Sequence, residues 1–378
     1  MTIAGTVVLL GSLTVLVAPK MRGRSDRTPS AAPTATTAPA AAKELPPPVR
    51  IDSGANEYMR WVAGRSTLDT SAAYRAYAKT SAASYATLRR NKLDPITAFA
   101  TSKLAEVRSA RTVLYPFAGG DVAYVSEFFP EADTVVLVGL EPTGRIFDWQ
   151  QWTPRQRTTF LSKLGQSVSA SNSVGFFLTN SMRRDFADST LNGVVHPIML
   201  YLGWKGFQIV RLSRFDPANP RTDGPMSDMA SGMRVLARDT VRDRETVFEY
   251  VSADLSDSAL VRDSTMVSYL RQWEEPVVYL KAASYLMHYP YFSIVRGTLA
   301  DEAQAVLQDD TGFPLAILRK RFGRVRAFGS YTKPIELFSG KYQRDLRAMY
   351  EQPGVTPLRF RMGYGAETNL QFATQRKP

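Results

Sequence analysis

The chain has no cysteine and only two histidines among 378 residues. The first absence excludes disulfides, thiol catalysis, lipoprotein anchoring through cysteine and every cysteine-based zinc site. The second argues against a poly-histidine metal centre, and no metal is expected. There is no G-x-S-x-G elbow to expose a nucleophilic serine. There is also no basic run long enough to mark a nucleic-acid interface, although the formal net charge is +12. That excess reads as a generally basic surface, with no nucleic acid as partner.

What is present begins with an uncharged apolar stretch, Thr2 to Pro19, followed by Lys20, Arg22, Arg24 and Arg27. It is long for a buried strand and short for a membrane span. Its place at the N-terminus suits a signal-anchor over 1–19. Residues 20–50 are rich in Ala, Pro and Thr, a composition that cannot bury enough apolar area to fold, so they read as an extended tether. Anchor and tether together place the chain at the membrane of a cell envelope, facing the periplasm or exterior. The basic residues after the apolar stretch argue for a cytoplasmic face, which therefore stays open. The expected partners are the membrane and either an unidentified small molecule or an envelope partner.

The stretch around which the rest is organised is Thr112 to Thr143. An apolar run, Thr112–Phe117, ends at Gly119 and Gly120. Asp121 stands as an N-cap, Val122, Val125, Phe128 and Phe129 recur at helical spacing, and Thr134–Leu140 is a second buried strand. Glu141 ends that strand, about 20 positions after the glycines, where dinucleotide folds carry a ribose-binding acid. Asp121 sets a negative charge where a phosphate would sit, which disfavours a pyrophosphate and favours a ligand without one.

Upstream, Glu57–Ala63, Ser71–Leu88 and a segment from Asp94 read as helices, with Tyr74, Tyr77, Tyr85 and Leu88 as a packing stripe. Downstream, Val194–Gly203 reads as a helix ending at Gly203, and Phe207–Leu212 and Met233–Ala237 as strands. Asp216–Ser231 reads as a surface loop. His196, beside Pro197, reads as structural. Val247–Ser252, Pro276–Lys281 and Ala305–Gln308 continue the strand series, closed by Arg324–Ser330, Leu358–Tyr364 and Asn369–Thr374 as antiparallel edge strands. The expected fold is α/β: a Rossmann-like, mostly parallel sheet with an inserted subdomain and an antiparallel C-terminal edge. After the tether it divides into a helical cap with the first βαβ unit (51–142), the inserted subdomain (143–245) and the second half of the sheet (246–378).

This order resembles, distantly, the class I S-adenosylmethionine-dependent methyltransferases. The resemblance rests on a glycine turn after the first strand (Gly119, Gly120), acids after the second and third (Glu141, Asp254) and a polar segment after the fourth (Lys281–His288). It implies a cofactor site of Gly119, Gly120, Asp121, Glu141 and Asp254, with S-adenosylmethionine as the possible cofactor. Glu141 would take the ribose and Asp254 the adenine amino group. The segments Tyr115–Asp121, Lys281–His288 and Val306–Gly312 also resemble a group of bacterial proteins without an assigned activity. Lys281, Ser284, His288 and Asp309 are the candidate catalytic residues, since Lys281 and Asp309 end neighbouring strands. A Ser284–His288–Asp309 relay for acyl transfer is one arrangement they permit. Two functions follow: an envelope protein whose degenerate Rossmann-like domain binds a ligand or serves structure, or a methyltransferase-like enzyme.

Overall fold

The computed structural model describes residues 52–174, 191–226, 230–364 and 367–375. The expected anchor and tether, and most of the segment 171–186, lie outside them. Among the described residues no helix is long and apolar enough to cross a membrane.

Ten strands form one mixed sheet in the order β4-β3-β5-β6-β2-β1-β7-β8-β10-β9. They are β1 (Thr112–Pro116), β2 (Thr134–Gly139), β3 (Phe207–Asp216), β4 (Asn219–Gly224), β5 (Gly232–Asp239), β6 (Arg244–Ser252), β7 (Val277–Leu280), β8 (Ala305–Gln308), β9 (Arg324–Gly329) and β10 (Asn369–Thr374). The centre, β6-β2-β1-β7-β8, is parallel throughout. Both wings are antiparallel: β5, β3 and β4 on one side, β10 and β9 on the other.

The central strands are apolar on both faces because helices cover both. Side chains alternate between two cores: Val113, Tyr115, Val135, Leu137, Val277 and Tyr279 face one, and Leu114, Val136, Val138, Val278 and Leu280 the other. The first core is roofed by α1 (Ser53–Val62), α2 (Ala72–Leu88), α3 (Asp94–Lys103), α4 (Val122–Phe128), α5 (Pro154–Val174) and α6 (Val195–Lys205). The second is roofed by α7 (Asp257–Arg262), α8 (Thr265–Arg271), α9 (Ser293–Glu302) and α10 (Leu315–Arg321). A last helix, α11 (Arg344–Tyr350), packs beside β9.

Three expectations are corrected. Asp216–Ser231 is not all loop, because Asn219–Gly224 pairs with β3 as β4. No residue of β4 is buried, so it carries no apolar alternation to read. Leu358–Tyr364 is not a strand; the nearest pairing is an isolated bridge between Thr356, just before it, and Phe328. Helix α6 runs past Gly203 and ends at Gly206, which takes the left-handed backbone (φ 82°) that closes helices. Gly203 serves packing instead: a Cβ there would lie 2.6 Å from Ala63 Cβ and 3.0 Å from Met59 O, so it permits the close crossing of α6 over α1. Residues 143–245 carry β3, β4 and β5, one wing of the common sheet, and the residues from Pro48 onward form one compact unit.

Candidate functional site

The strand series reverses direction of growth between β1 and β7, and ligands of open α/β sheets bind in the crevice outside the strand ends at such a point. The loops after β1, β2, β6, β7 and β8 carry Gly119–Asp121, Glu141, Asp254, Lys281 and Asp309, so the parallel register brings these ends to one edge.

The crevice between β1 and β7 is closed by the chain's own groups. Lys281 Nζ donates to Asp121 Oδ2, and both side chains are 1% exposed. The Tyr115 hydroxyl donates to the same oxygen at 3.0 Å, and the ammonium lies 3.7 Å from the centre of the Tyr124 ring. Asp121 stands at the N-cap position of α4 but makes no capping hydrogen bond, because its carboxylate is turned to the lysine. Burial, followed by the charge of Lys281, lowers nearby Lys92 to about 8. Its ammonium donates to Asn172 O.

The glycine turn is roofed as well. A Cβ on Gly120 would lie 3.1 Å from Pro197 Cγ, so α6 rests directly on the turn. The segment leading into α6 is stitched to the loop after β2 by Val194 N–H to Pro142 O and Val195 N–H to Thr143 O, each 3.0 Å. Gly144 and Gly193 meet there with no room for a side chain on Gly193. Glu141 is buried. The Tyr250 hydroxyl donates to its carbonyl at 2.8 Å and approaches Oε2 at 3.3 Å, which folds the carboxylate back over Gly139. Asp254 is exposed and accepts from Ser256 N–H, closing its own turn.

Ser284, His288 and Asp309 share a region without forming a relay. Ser284 Oγ is hydrogen-bonded to the Tyr364 hydroxyl at 2.7 Å. Asp309 accepts from Ala282 N–H and from Thr311. The His288 ring stands edge-on to Tyr285, its Nε2 is buried without a hydrogen-bond partner among the described residues, and burial lowers its pKa to about 4. His196 is held as a neutral imidazole, with Nδ1 accepting from the Tyr58 hydroxyl and Nε2 donating to Asn192 Oδ1. Burial drives its pKa down to about 3.

An open cleft of about 250 Å³ lies beside the closed crevice, beyond the end of β8. Asp309, Asp310 and Glu367 line it with Tyr285, Tyr364 and Asn369. Burial and then the neighbouring Asp310 charge push Asp309 up to about 7. Burial also raises Asp310, whose carboxylate accepts from the Tyr285 hydroxyl and from Asn369 Nδ2. The loop feeding this cleft is strained: Ala282, Ser284 and Tyr285 all have positive φ (52°, 50° and 54°). Such conformations cost roughly 1–3 kcal/mol each and cluster at functional sites. Asp309 and Thr311 hold the loop by accepting Ala282 N–H and Ala283 N–H.

Sequence reasoning placed Lys281, Ser284 and Asp309 at this edge but missed Tyr364, Glu367 and Asn369, which arrive from the C-terminal segment. It also missed a larger cavity of about 620 Å³ between α2 and α5. Tyr74 and Tyr77 of the predicted packing stripe line that cavity beside Leu161 and Trp204, where small residues such as Ala73, Ala76 and Gly165 leave the helices apart. Among the described residues no cluster of three or more acidic or histidine side chains is arranged to hold a metal.

No known protein-family model, curated protein or solved structure matches this chain.

Proposed function

We propose that this chain is a membrane-anchored envelope protein with a Rossmann-like sheet, and that it binds a small molecule in the cleft beyond β8 and not in the crevice at β1. The strand order supports the Rossmann-like reading: β6, β2, β1, β7 and β8 follow the 3-2-1-4-5 sequence of doubly wound sheets. The observation that carries the ligand-binding reading is the buried Lys281–Asp121 pair, which fills the switch point with an ion pair. A desolvated pair of this kind is not opened cheaply, since an uncompensated charge left behind costs about 3–5 kcal/mol.

The residues expected to hold S-adenosylmethionine do not fit that group in this arrangement. Gly120 lies under Pro197, Asp121 is spent on Lys281, and Glu141 is folded onto Tyr250 and Gly139. Asp254 alone faces solvent. The apolar N-terminus and its tether supply the anchor in this reading, as they do in the sequence.

The strand order also favours a second reading, a methyltransferase-like enzyme. Calorimetric titration of S-adenosylmethionine and S-adenosylhomocysteine into the full-length chain separates the two. The ligand-binding reading expects no saturable binding of S-adenosylhomocysteine below 1 mM, about 4 kcal/mol on the affinity scale. Binding tighter than about 100 μM, roughly 5.5 kcal/mol, and abolished by Glu141→Ala, makes the enzyme the better reading.

A further inference from the structure

We infer that the cavity between α2 and α5 is a second binding site, and that it takes the hydrocarbon chain of a single-chain anionic amphiphile, a free fatty acid. That site is separate from the cleft beyond β8.

The cavity is a slot between two parallel helices. Arg157 reaches Asp69 at one end, Gly165 faces Tyr77 midway, and Lys92 Nζ donates to Asn172 O at the other. Each helix presents one stripe at helical spacing: Ala73, Tyr77 and Ser84 on α2, and Leu161, Gly165 and Val168 on α5. From Ser71 to Ser84 the lining covers about 20 Å of helix, at about 1.5 Å per residue. Spread over that length, the volume of about 620 Å³ leaves a cross-section of about 30 Å². That is wide enough for one extended hydrocarbon chain and too narrow for two.

The wall offers carbon. Tyr74 donates to Trp61 O, Tyr77 to Val62 O and Ser81 to Ala63 O, while Trp204 Nε1 donates to Ser81. Thr80 and Thr158 bond back to carbonyls of their own helices, Ala76 O and Pro154 O. Asp69, the one acid lining the slot among the described residues, is held by Arg157 at 3.4 Å and by the Trp61 indole at 3.3 Å. A wall whose polar groups are satisfied within the chain selects a guest that needs no hydrogen bond there.

Gly165 is an independent sign that something fills the slot. Glycine inside a helix is disfavoured against alanine. Its φ is not positive, and a Cβ there would meet only Tyr77 Cε2, at 3.7 Å, an ordinary contact. Among the described residues no turn and no close crossing requires this glycine, in contrast to Gly203. What the missing side chain leaves is open slot.

Charge specifies the head. Helices α2 and α5 carry Arg75, Lys79, Arg155, Arg157 and Lys163, and neither carries an acidic residue. Both N-termini lie at the Asp69 end, and a helix N-terminus is its positive pole. The carboxylate therefore sits at that end, and the chain runs toward Trp204 and Asn172.

The experiment titrates the full-length chain with dodecanoate, followed by calorimetry, and with 12-bromododecanoate, whose bromine quenches a tryptophan that it touches. Dodecanoate is expected to bind with a Kd below about 100 μM. It binds at least about tenfold tighter than octanoate, since each methylene buried adds roughly fourfold. It also binds at least about threefold tighter than dodecyltrimethylammonium, which has the same chain and the opposite charge. Trp204→Phe removes most of the quenching by the bromo acid while calorimetric binding stays, because no other tryptophan lines the slot among the described residues. Gly165→Leu and, separately, Ala76→Leu fill the slot and weaken binding at least about tenfold. Circular dichroism shows that each variant is folded, and Ala76→Leu, at an exposed position of α2, serves if Gly165→Leu is not. Binding that both fillers leave unchanged, equal affinity for the trimethylammonium, quenching that survives Trp204→Phe, or no binding of dodecanoate at about 1 mM overturns the assignment. Quenching by vesicles of brominated phosphatidylglycerol but not by the free acid overturns it in favour of a membrane lipid.

Discussion

Lys281→Met leaves the Asp121 side chain 1% exposed and without its counter-ion. Such a change destabilises by about 3–5 kcal/mol, and Asp121→Leu alone does the same to the lysine. The double variant Asp121→Leu/Lys281→Met recovers most of the loss in urea unfolding, because two packed apolar groups replace two desolvated charges. Additive losses would show that the two groups act apart. Protonation supplies a second test. His196 titrates near 3 when folded and about 6.5 when unfolded, so its contribution is present above pH 6.5 and is lost as pH falls toward 3. Asp309 has the opposite sign: its folded pKa is raised to about 7, so its contribution is present below the unfolded value of about 3.9 and is lost as pH rises through 7. Asp309→Asn removes that opposing contribution. Its stability between pH 7 and 4 therefore falls more steeply with acid than that of the parent, by up to about 1.4 kcal/mol per pH unit, and parallel curves would refute the raised pKa. At this scale the sequence was half legible. Strand ends placed Asp121, Lys281 and Asp309 at one edge, but nothing local shows that residues 160 positions apart neutralise each other. Tyr364 and Glu367 were hidden because they reach the edge from an irregular segment, and Asn369 because it opens β10, whose pairing beside β8 is not written in its own sequence.

Among the elements, the segment Asn192–Val195 is the one that seals the glycine turn, and its seat is the contact of Gly193 with Gly144. Gly193→Ala forces the two loops apart and costs about 1–3 kcal/mol. The same substitution raises hydrogen exchange at Val194 and Val195 beyond what that global loss explains, and unchanged protection there would show that the contact does not hold the segment. Gly203→Ala wedges α6 from α1 at a comparable loss of thermal stability. Strands buried on both faces, such as β1 and β2, were legible as continuous runs of strand formers. β4 was not, since an exposed edge strand is fixed by its pairing with β3 and by nothing in its own composition. The end of α6 was misread for a related reason: either glycine suits a helix end, and only the crossing with α1 shows that Gly203 is needed inside the helix.

For the whole molecule, the described residues build one sheet, with the residues 143–245 contributing its wing. Calorimetry of the full-length chain is therefore expected to show one main unfolding transition. A separable early transition lost on truncating β3–β5 would mark the wing as an independent unit. The proposed anchor is tested by reporters fused after Pro378: activity only of a reporter that works outside the cytoplasm supports the envelope placement, and activity only of a cytoplasmic reporter overturns it. The outermost strand, β4, bears on how the protein behaves at high local concentration. It carries Pro220, Arg221 and Asp223, and proline together with charge on a terminal strand denies a neighbouring copy the regular row of backbone partners that sheet-to-sheet growth requires. Copies can thus crowd together and still remain separate molecules.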